Sequence, residues 1–314
     1  MNKIVAICSL FFLTVTAALI PTASQAGEKI TFGVLPVMQA LPLFVAQEKG
    51  LFAEEGVEVE LIPFRSGLEK DAAMAAGQTQ GYFGDMLTSI ILGANQAPMR
   101  MVATIFNTTG SQRMFAVLAA PGTGKPSLTD LARKGIAGSS NTVIEYVTTR
   151  LLENETPGAN LNMIETKNIL TRMPMLLQGQ VAGAVLPEPL VTLMEGKGAT
   201  VVADDRGLGI TATTLLFTNE FIEEHTDTVR AFLRGTARAS ALINKDPEMA
   251  RPIMIKFARI PEPLQQSISI PVFLPPAAPE KELVMDVYNW LNDKGVLKSV
   301  LTFDEMVRGD LLPE

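Results

Sequence analysis

The sequence predicts an α/β protein of two lobes joined by a hinge of two chain crossings, each lobe a mostly parallel sheet flanked by helices. Short apolar runs alternate with segments of helical periodicity along most of the chain, which is typical of strands covered by helices. A break rich in glycine and proline at 121–126 separates two such series. Extended apolar segments at 114–119 and 214–217 lie at the two junctions, so we expect the crossings there and a ligand-sized cleft between the lobes.

The first series is the clearer of the two. Its opening run, Ile30 to Leu35, is apolar and short enough for a buried strand, and the helices that follow end at Gly50 and Gly77, as helices often do. The expected elements are strands at 30–35, 57–62, 82–83, 100–106 and 114–119 and helices at 41–49, 68–76 and 86–92.

The second series begins with a short helix opened by Ser127, a residue that favours the first position of a helix. The expected elements are strands at 136–137, 162–165, 181–186, 200–203 and 214–217 and helices from 127 and at 142–153, 168–177 and 190–195. From Asn219 onward the pattern predicts an almost wholly helical tail that packs on the lobes.

Composition argues against several classes of protein. Of 314 residues, 47% are hydrophobic and 19% charged, which is enough apolar material for a sizeable core. A net charge of -7 provides no basic field for a nucleic acid. Cys8 is the one cysteine and His225 the one histidine, so neither has a second such residue with which to hold a metal. We therefore predict no catalytic residue, metal or cofactor.

The first 26 residues have the pattern of a signal peptide. Lys3 is followed by an uncharged run from Ile4 to Ile20, and Ser24 and Ala26 place small residues at a cleavage site. An uncleaved membrane anchor is the alternative, but the run is shorter than the roughly 20 residues that span a bilayer as a helix. We expect cleavage after Ala26 and a periplasmic mature protein with no stable membrane insertion.

Residues 41–60 carry a family resemblance. A helix ending in the pattern A-x-x-x-G-(L/F)-F, here residues 46–52, is followed by a G-V-x-V strand at 56–59. Further short matches continue through 66–67, 84–85, 102–103, 138–140, 178–184 and 188–189, so the similarity covers most of the chain after residue 26. In the order and spacing of these motifs the chain resembles the nitrate/sulfonate/taurine-type substrate-binding proteins of ABC importers, whose relatives include thiamine-pyrimidine synthases.

The resemblance implies a type II periplasmic binding protein fold and a monomer that binds no nucleic acid. Lobe one would comprise 27–117 and 216–314, and lobe two 118–215. The implied function is capture of a small solute between the lobes and its delivery to a permease. Residues 122–125 do not form a P-loop, because position 119 is alanine, so the ATPase is expected to be a separate chain. The alternative is a biosynthetic enzyme of the thiamine-pyrimidine-synthase type, whose cysteine-rich motif is absent after residue 26.

Candidate ligand-binding residues lie where strands end and helices begin, because unbonded helix N–H groups and a partial positive charge collect there. They are Met38, Gln39, Arg65, Ser66, Gly67, Asp85, Asn107, Ser139, Ser140, Asn141, Thr142 and Glu188.

Each of these residues also has a purely structural explanation. Asp85 and residues 139–142 could cap helices, Glu188 could open one, Arg65 could be a surface charge, and Met38 could fill apolar space. The chemistry of the ligand stays open at this point. Arg65 and the helix N-termini suit an oxyanion such as a sulfonate or nitrate, whereas Asp85 and Glu188 suit the donors of an aminopyrimidine or another neutral heterocycle.

Overall fold

The computed structural model describes residues 28–95, 97–210 and 213–313, and its strands form two five-stranded sheets. The predicted signal peptide lies outside the described residues. In chain order the strands are β1 (Lys29–Val34), β2 (Glu58–Pro63), β3 (Gly81–Asp85), β4 (Met99–Ala103), β5 (Phe115–Ala119), β6 (Ile136–Gly138), β7 (Met163–Glu165), β8 (Gly183–Pro187), β9 (Thr200–Asp204) and β10 (Thr213–Thr218).

Helices cover both sheets, and in the described part of the chain five further α-helices follow the last strand, β10. In chain order they are α1 (Leu41–Glu48), α2 (Leu51–Glu54), α3 (Gly67–Ala75), α4 (Met86–Asn95), α5 (Leu128–Lys134), α6 (Val143–Glu155), α7 (Ile169–Leu177), α8 (Leu190–Gly196), α9 (Asn219–Glu224), α10 (Thr226–Lys245), α11 (Pro247–Phe257), α12 (Lys281–Asp293) and α13 (Phe303–Met306). None of the described helices is both long and apolar enough to cross a membrane.

The two sheets have the same plan. The first has the order β2-β1-β3-β10-β4 and the second β7-β6-β8-β5-β9. β1 pairs in parallel with β2 and β3, and β6 pairs in parallel with β7 and β8. β10 and β5 run antiparallel to both of their neighbours. In each sheet the single reversed strand is the one that enters from the other sheet, so the predicted mostly parallel two-sheet fold is confirmed.

The chain passes between the sheets twice, through 104–114 and by way of 205–210, after which the described residues resume at β10. Thr108 joins the two passes, because its hydroxyl accepts a hydrogen bond from the Ile210 N–H at 3.1 Å. Buried Asp205 holds the end of the first pass by accepting from the N–H groups of Met114 and Phe115 at 2.9 and 3.0 Å. Because β5 lies wholly in the second sheet and β10 wholly in the first, the expected divisions at 117/118 and 215/216 fall inside strands. The division into lobes stays a prediction.

A third segment, 270–277, runs beside the first crossing. The Ala277 and Leu274 N–H groups donate to the carbonyls of Thr104 and Ile105 at 3.0 and 3.1 Å.

The prediction of an almost wholly helical tail is wrong, because 258–280 holds only a single 3-10 turn and 294–302 is not helical. Six prolines between 261 and 279 explain the first stretch, since proline lacks the N–H that a helix requires.

Aromatic rings fill the core on one face of the first sheet. Phe32 of β1 and Phe217 of β10 lie 4.7 and 5.3 Å from the ring of Phe232 in α10. Phe52 stacks on Phe232 at 5.0 Å, and Gly235 allows this approach because a Cβ there would lie 2.7 Å from the Phe52 ring. Long helix α10 also packs on α1, so the start of α1 is fixed against the end of β1.

Candidate ligand-binding cleft

The candidate residues lie at the carboxyl ends of the parallel strands in both sheets. In the first sheet, Met38 and Gln39 form a buried 3-10 turn after β1, and Asp85 is the last residue of β3. In the second sheet, residues 139–142 follow β6 and Glu188 follows β8. Parallel strands bring such ends to one edge of a sheet, which is where α/β folds bind ligands.

Arg65, Ser66 and Gly67 form the start of α3 after edge strand β2. The Ser66 hydroxyl accepts from the Glu69 N–H at 3.2 Å, and the Glu69 carboxylate accepts from the Arg65 N–H at 2.9 Å. These reciprocal bonds satisfy N–H groups that the helix leaves without partners. The side chains of Arg65 and Ser66 are exposed, and within the described residues Arg65 makes no ion pair.

Asp85 caps α4, since its Oδ1 accepts from the Thr88 N–H at 2.8 Å. Burial raises the pKa of Asp85 to about 6, although this hydrogen bond and nearby Lys70 favour the charged form. Thr213 pairs with Asp85 across β3 and β10, and its buried hydroxyl has no hydrogen-bond partner among the described residues. Asn107, after β4, likewise has a buried Oδ1 without a partner in that part of the chain.

Lys70 is a buried cation near Asp85 that sequence analysis did not identify. Its ammonium is buried, 2.5 Å from Asp71 Oδ1 and 3.1 Å from the centre of the Tyr82 ring. Burial lowers its pKa, and Asp71 opposes that shift. Gly84 makes room, because a Cβ there would lie 2.4 Å from Tyr82 and 3.2 Å from Lys70 Nζ. Lys70 lies three residues before Ala73, on the buried face of α3, and this helical spacing was the signal in the sequence that Lys70 would be buried.

The turn 139–142, hereafter the lobe-two turn, has each of its four residues bonded within the protein. The Ser140 N–H donates to Glu165 at 2.9 Å, and the Asn141 N–H donates to Glu145 at 2.7 Å. Thr142 is the helix cap, since its hydroxyl accepts from Ile144 at 3.2 Å. The two amides that we expected to be open to an anion are therefore already bonded to carboxylates.

Ser139 completes the turn through Arg172, a second residue that sequence analysis missed. The Arg172 guanidinium is fully buried and donates to the Ser139 hydroxyl, to the Thr166 carbonyl at 2.9 Å and to the Val185 carbonyl at 3.0 Å. It thereby joins the residues that directly follow β6 and β7 to the middle of β8. Burial lowers its pKa to about 10. Arg172 and Leu176 share the buried face of α7, and this arginine on an apolar face was the available signal.

Both carboxylate oxygens of Glu188 are bonded within the protein. Oε1 lies 2.6 Å from Arg113 Nε, and Oε2 accepts from the N–H and hydroxyl of Thr192 at 3.2 and 2.8 Å. Arg113, in the first crossing, also pairs with Glu195. Glu188 therefore stabilises the start of α8 and attaches it to the crossing. Nothing in the sequence around Arg113 indicated that it would pair with Glu188.

Within residues 28–95, 97–210 and 213–313, no group of three or more His, Cys, Asp or Glu is placed to hold a metal.

Comparison with known proteins gives a family and a set of similar structures. Residues 38–250 match the family model described as NMT1/THI5 like. Riboflavin-binding protein RibY of Chloroflexus aurantiacus is 26% identical over 258 residues, which is 79% of this chain and 71% of RibY. Bicarbonate-binding protein CmpA of Synechococcus elongatus is 30% identical over 112 residues, 33% of this chain and 23% of CmpA.

Among solved structures, the periplasmic aliphatic sulphonate binding protein SsuA of Escherichia coli aligns with a TM-score of 0.76 and 15% identity. The alignment covers 90% of this chain and 92% of SsuA, which confirms the two-lobed binding-protein fold. The resemblance to importer binding proteins noted in the motifs is also confirmed. Since the family model spans more than half of the chain, the protein belongs to the NMT1/THI5-like family.

Proposed function

We propose that the protein is the extracytoplasmic solute-binding protein of an ABC importer. It captures a small polar solute between its two lobes and delivers it to a permease driven by a separate ATPase. The observation that carries the proposal is the pair of similarly built sheets, each with polar residues at its carboxyl edge and with two crossings between them. RibY, CmpA and SsuA are each named for the solute that they bind, so the solute varies among these proteins while the binding role is shared.

The position of His225 argues against the enzymatic alternative. Its Nδ1 lies 2.9 Å from Glu28, which directly precedes β1. Glu28 is therefore at the amino end of the parallel strands, opposite the edge where the candidate ligand residues lie. A histidine at that end does not reach a substrate held at the carboxyl edge, so we propose a protein without catalytic activity.

The bonds of the cleft residues favour a ligand that donates hydrogen bonds over an oxyanion. Lys70 and Arg113 are paired with carboxylates, Arg172 is fully enclosed, and Arg65, which has no ion pair among the described residues, is exposed beside the edge strand β2. The Asn107 oxygen, by contrast, is a buried acceptor without a partner among the described residues, and the Thr213 hydroxyl, likewise without one there, can accept as well as donate. Buried acceptors suit the amino group of an aminopyrimidine-like heterocycle, because leaving them unbonded is costly.

The two lobes offer a permease similar contact points. Residues 65–68 and 167–170 each place an exposed basic residue, a helix cap and an exposed leucine at the helix that follows the outer strand of a sheet. Leu68 is 67% and Leu170 60% exposed. We call residues 65–68 and 167–170 the two tips. One tip on each lobe suits a permease of two like subunits, each contacted by one lobe. A single copy of the chain supplies both tips, so we propose a monomeric binding protein.

We propose that the protein is exported and that the mature chain begins at Gly27 in the periplasm. N-terminal sequencing of the protein from its native host tests this. A cytosolic protein that retains Met1 would contradict it.

Native mass spectrometry of the gently purified protein tests the function directly, followed by calorimetric titration with an aminopyrimidine, riboflavin, taurine and nitrate. We expect one bound solute per chain, returned chemically unchanged. Tight binding of nitrate or taurine alone would overturn the donor-ligand assignment and keep the binding function. Chemical conversion of the bound solute would overturn the binding function itself.

A further inference from the structure

The lobe-two turn is linked through one carboxylate to a helix that packs on the first sheet. Glu145 Oε2 accepts from the Asn141 N–H at 2.7 Å, while Glu145 Oε1 lies 2.5 Å from the Nζ of Lys294. Lys294 directly follows α12, and α12 packs on α4 of the first sheet. The same side chain thus holds the turn and reaches the other lobe.

Lys294 is fixed in place by more than the ion pair. Its Nζ lies 4.4 Å from the centre of the Trp290 ring, and Trp290 meets Tyr146 of α6 edge-on at 5.6 Å. The Glu145 and Lys294 side chains are 16% and 29% exposed, so water weakens this pair less than a fully exposed one. Packing on Trp290 therefore holds the Lys294 end of the link in addition to the ion pair.

A neighbouring contact joins the same two helices without touching the turn. Asp286 of α12 accepts from the Tyr146 hydroxyl and from Arg150 Nη2, the latter at 2.8 Å. It is chemically similar to the Glu145–Lys294 pair and lies about two helical turns away along α12. It provides a matched control for any effect that comes from contact between the helices alone.

The hydrogen bond from the Asn141 N–H to Glu145 helps to hold the backbone conformation of Asn141. Its φ of 58° is left-handed, a conformation that asparagine adopts more readily than most residues with a side chain but less readily than glycine. Charge-assisted hydrogen bonds are stronger than neutral ones, and here the acceptor carboxylate is itself held on its second oxygen. Loss of Lys294 would let the carboxylate rotate into water and weaken its bond to the Asn141 N–H.

We propose that Glu145 is a positioning residue that couples the lobe-two turn to α12, so that the turn keeps its conformation only while α12 is docked against α6. That this conformation is the one used to bind solute rests on the proposed function. The coupling itself rests on the contacts alone and gives the first sheet control over the binding edge of the second.

Hydrogen exchange of the Asn141 amide in the solute-free full chain tests the coupling by NMR, because that amide is the donor to Glu145. We expect Lys294→Met to speed its exchange about tenfold, while Asp286→Asn changes it less than about twofold. Lys294→Arg should restore slow exchange, and amides of β1 should be unchanged in all three variants, which shows that the fold is intact.

Exchange in Lys294→Met within twofold of wild type would overturn the proposal. Equal acceleration in Asp286→Asn would also overturn it, since contact between the helices would then be sufficient. No solute enters the measurement, so its failure leaves the proposed transport function standing, and failure of the titrations leaves the coupling standing.

Discussion

Asn141 combines a left-handed backbone conformation with a side chain that none of the capping bonds uses. Thr142 caps α6, and the Asn141 backbone N–H alone is bonded to Glu145. The capping explanation for Asn141 therefore does not hold. Asparagine suits the left-handed backbone at this position, and its side chain makes no hydrogen bond among the described residues, which leaves it available for ligand contact.

A pair of variants at Asn141 separates backbone strain from ligand contact. Asn141→Gly removes the side chain but tolerates positive φ, whereas Asn141→Ala adds about 1 kcal/mol of strain. If the amide contacts solute, both variants should weaken binding by roughly five- to 150-fold, and only the alanine variant should also lower the melting temperature. Calorimetry with the solute identified by native mass spectrometry, together with thermal melting, measures both. Normal affinity in the glycine variant would place recognition elsewhere.

Arg172 should matter most to the stability of the second sheet. Arg172→Met would leave a hydroxyl after β6, a carbonyl after β7 and a carbonyl within β8 without their donor, and we expect a loss of about 3 to 5 kcal/mol in unfolding free energy. Arg172→Lys keeps the charge but cannot reach all three acceptors, so it should restore only part of the loss. Urea unfolding followed by circular dichroism measures these changes. Arg133→Met, at a 75% exposed side chain, is the control and should change stability by less than about 0.5 kcal/mol.

At the scale of elements, Asp205 joins the start of β5 to the end of β9. Burial raises the pKa of this carboxyl from 3.8 to about 7, even though its bonds to the Met114 and Phe115 amides favour the charged form. A carboxyl whose pKa is raised by folding stabilises the folded state below its unfolded pKa, and this contribution is lost as the pH rises through the folded pKa. The relevant window is therefore pH 4 to 7.

Asp205→Asn tests this sign. The unfolding free energy of wild type minus that of the variant should fall by up to about 4 kcal/mol between pH 4 and 7, because the variant does not titrate there. Subtracting the two curves removes the contribution of Asp85 and the other carboxyls. Urea unfolding at several pH values supplies the curves. A difference that rises with pH would show that the two amide bonds outweigh burial.

Most strands and helices up to residue 217 could be predicted, because apolar runs, glycine stops and caps are local signals. The tail could not, since helical periodicity on both sides of 261–279 suggests a continuous helical region, whereas the six prolines of that stretch exclude one. At the site, Asp85 and Thr142 were identified as possible caps and do cap helices, whereas the capping role of Ser66 was not predicted. The roles of Lys70 and Arg172 depend on partners from other elements, which spacing along one helix does not reveal.

At the scale of the whole molecule, the two lobes repeat a short pattern in their sequence. Residues 65–70 read Arg-Ser-Gly-Leu-Glu-Lys and residues 167–172 read Lys-Asn-Ile-Leu-Thr-Arg. In each, an exposed basic residue precedes the cap, the second helical residue is an exposed leucine, and the fourth is a buried cation. Because β2 and β7 are both outer strands, the two tips occupy equivalent places in the two lobes.

Equivalent tips on two lobes suit a partner with two like halves, so we expect both leucines to contribute to permease docking. The double variant Leu68→Ser, Leu170→Ser should bind solute within about twofold of wild type, yet support uptake in membranes carrying the permease and ATPase about tenfold less well. Buried leucines at a docked interface lose apolar contact when replaced by serine, whereas the cleft residues are untouched. Val300→Ser is the matched control, since Val300 is 82% exposed and lies outside both tips. Undiminished uptake in the double variant, or an equal loss with Val300→Ser, would remove the tips from the docking surface.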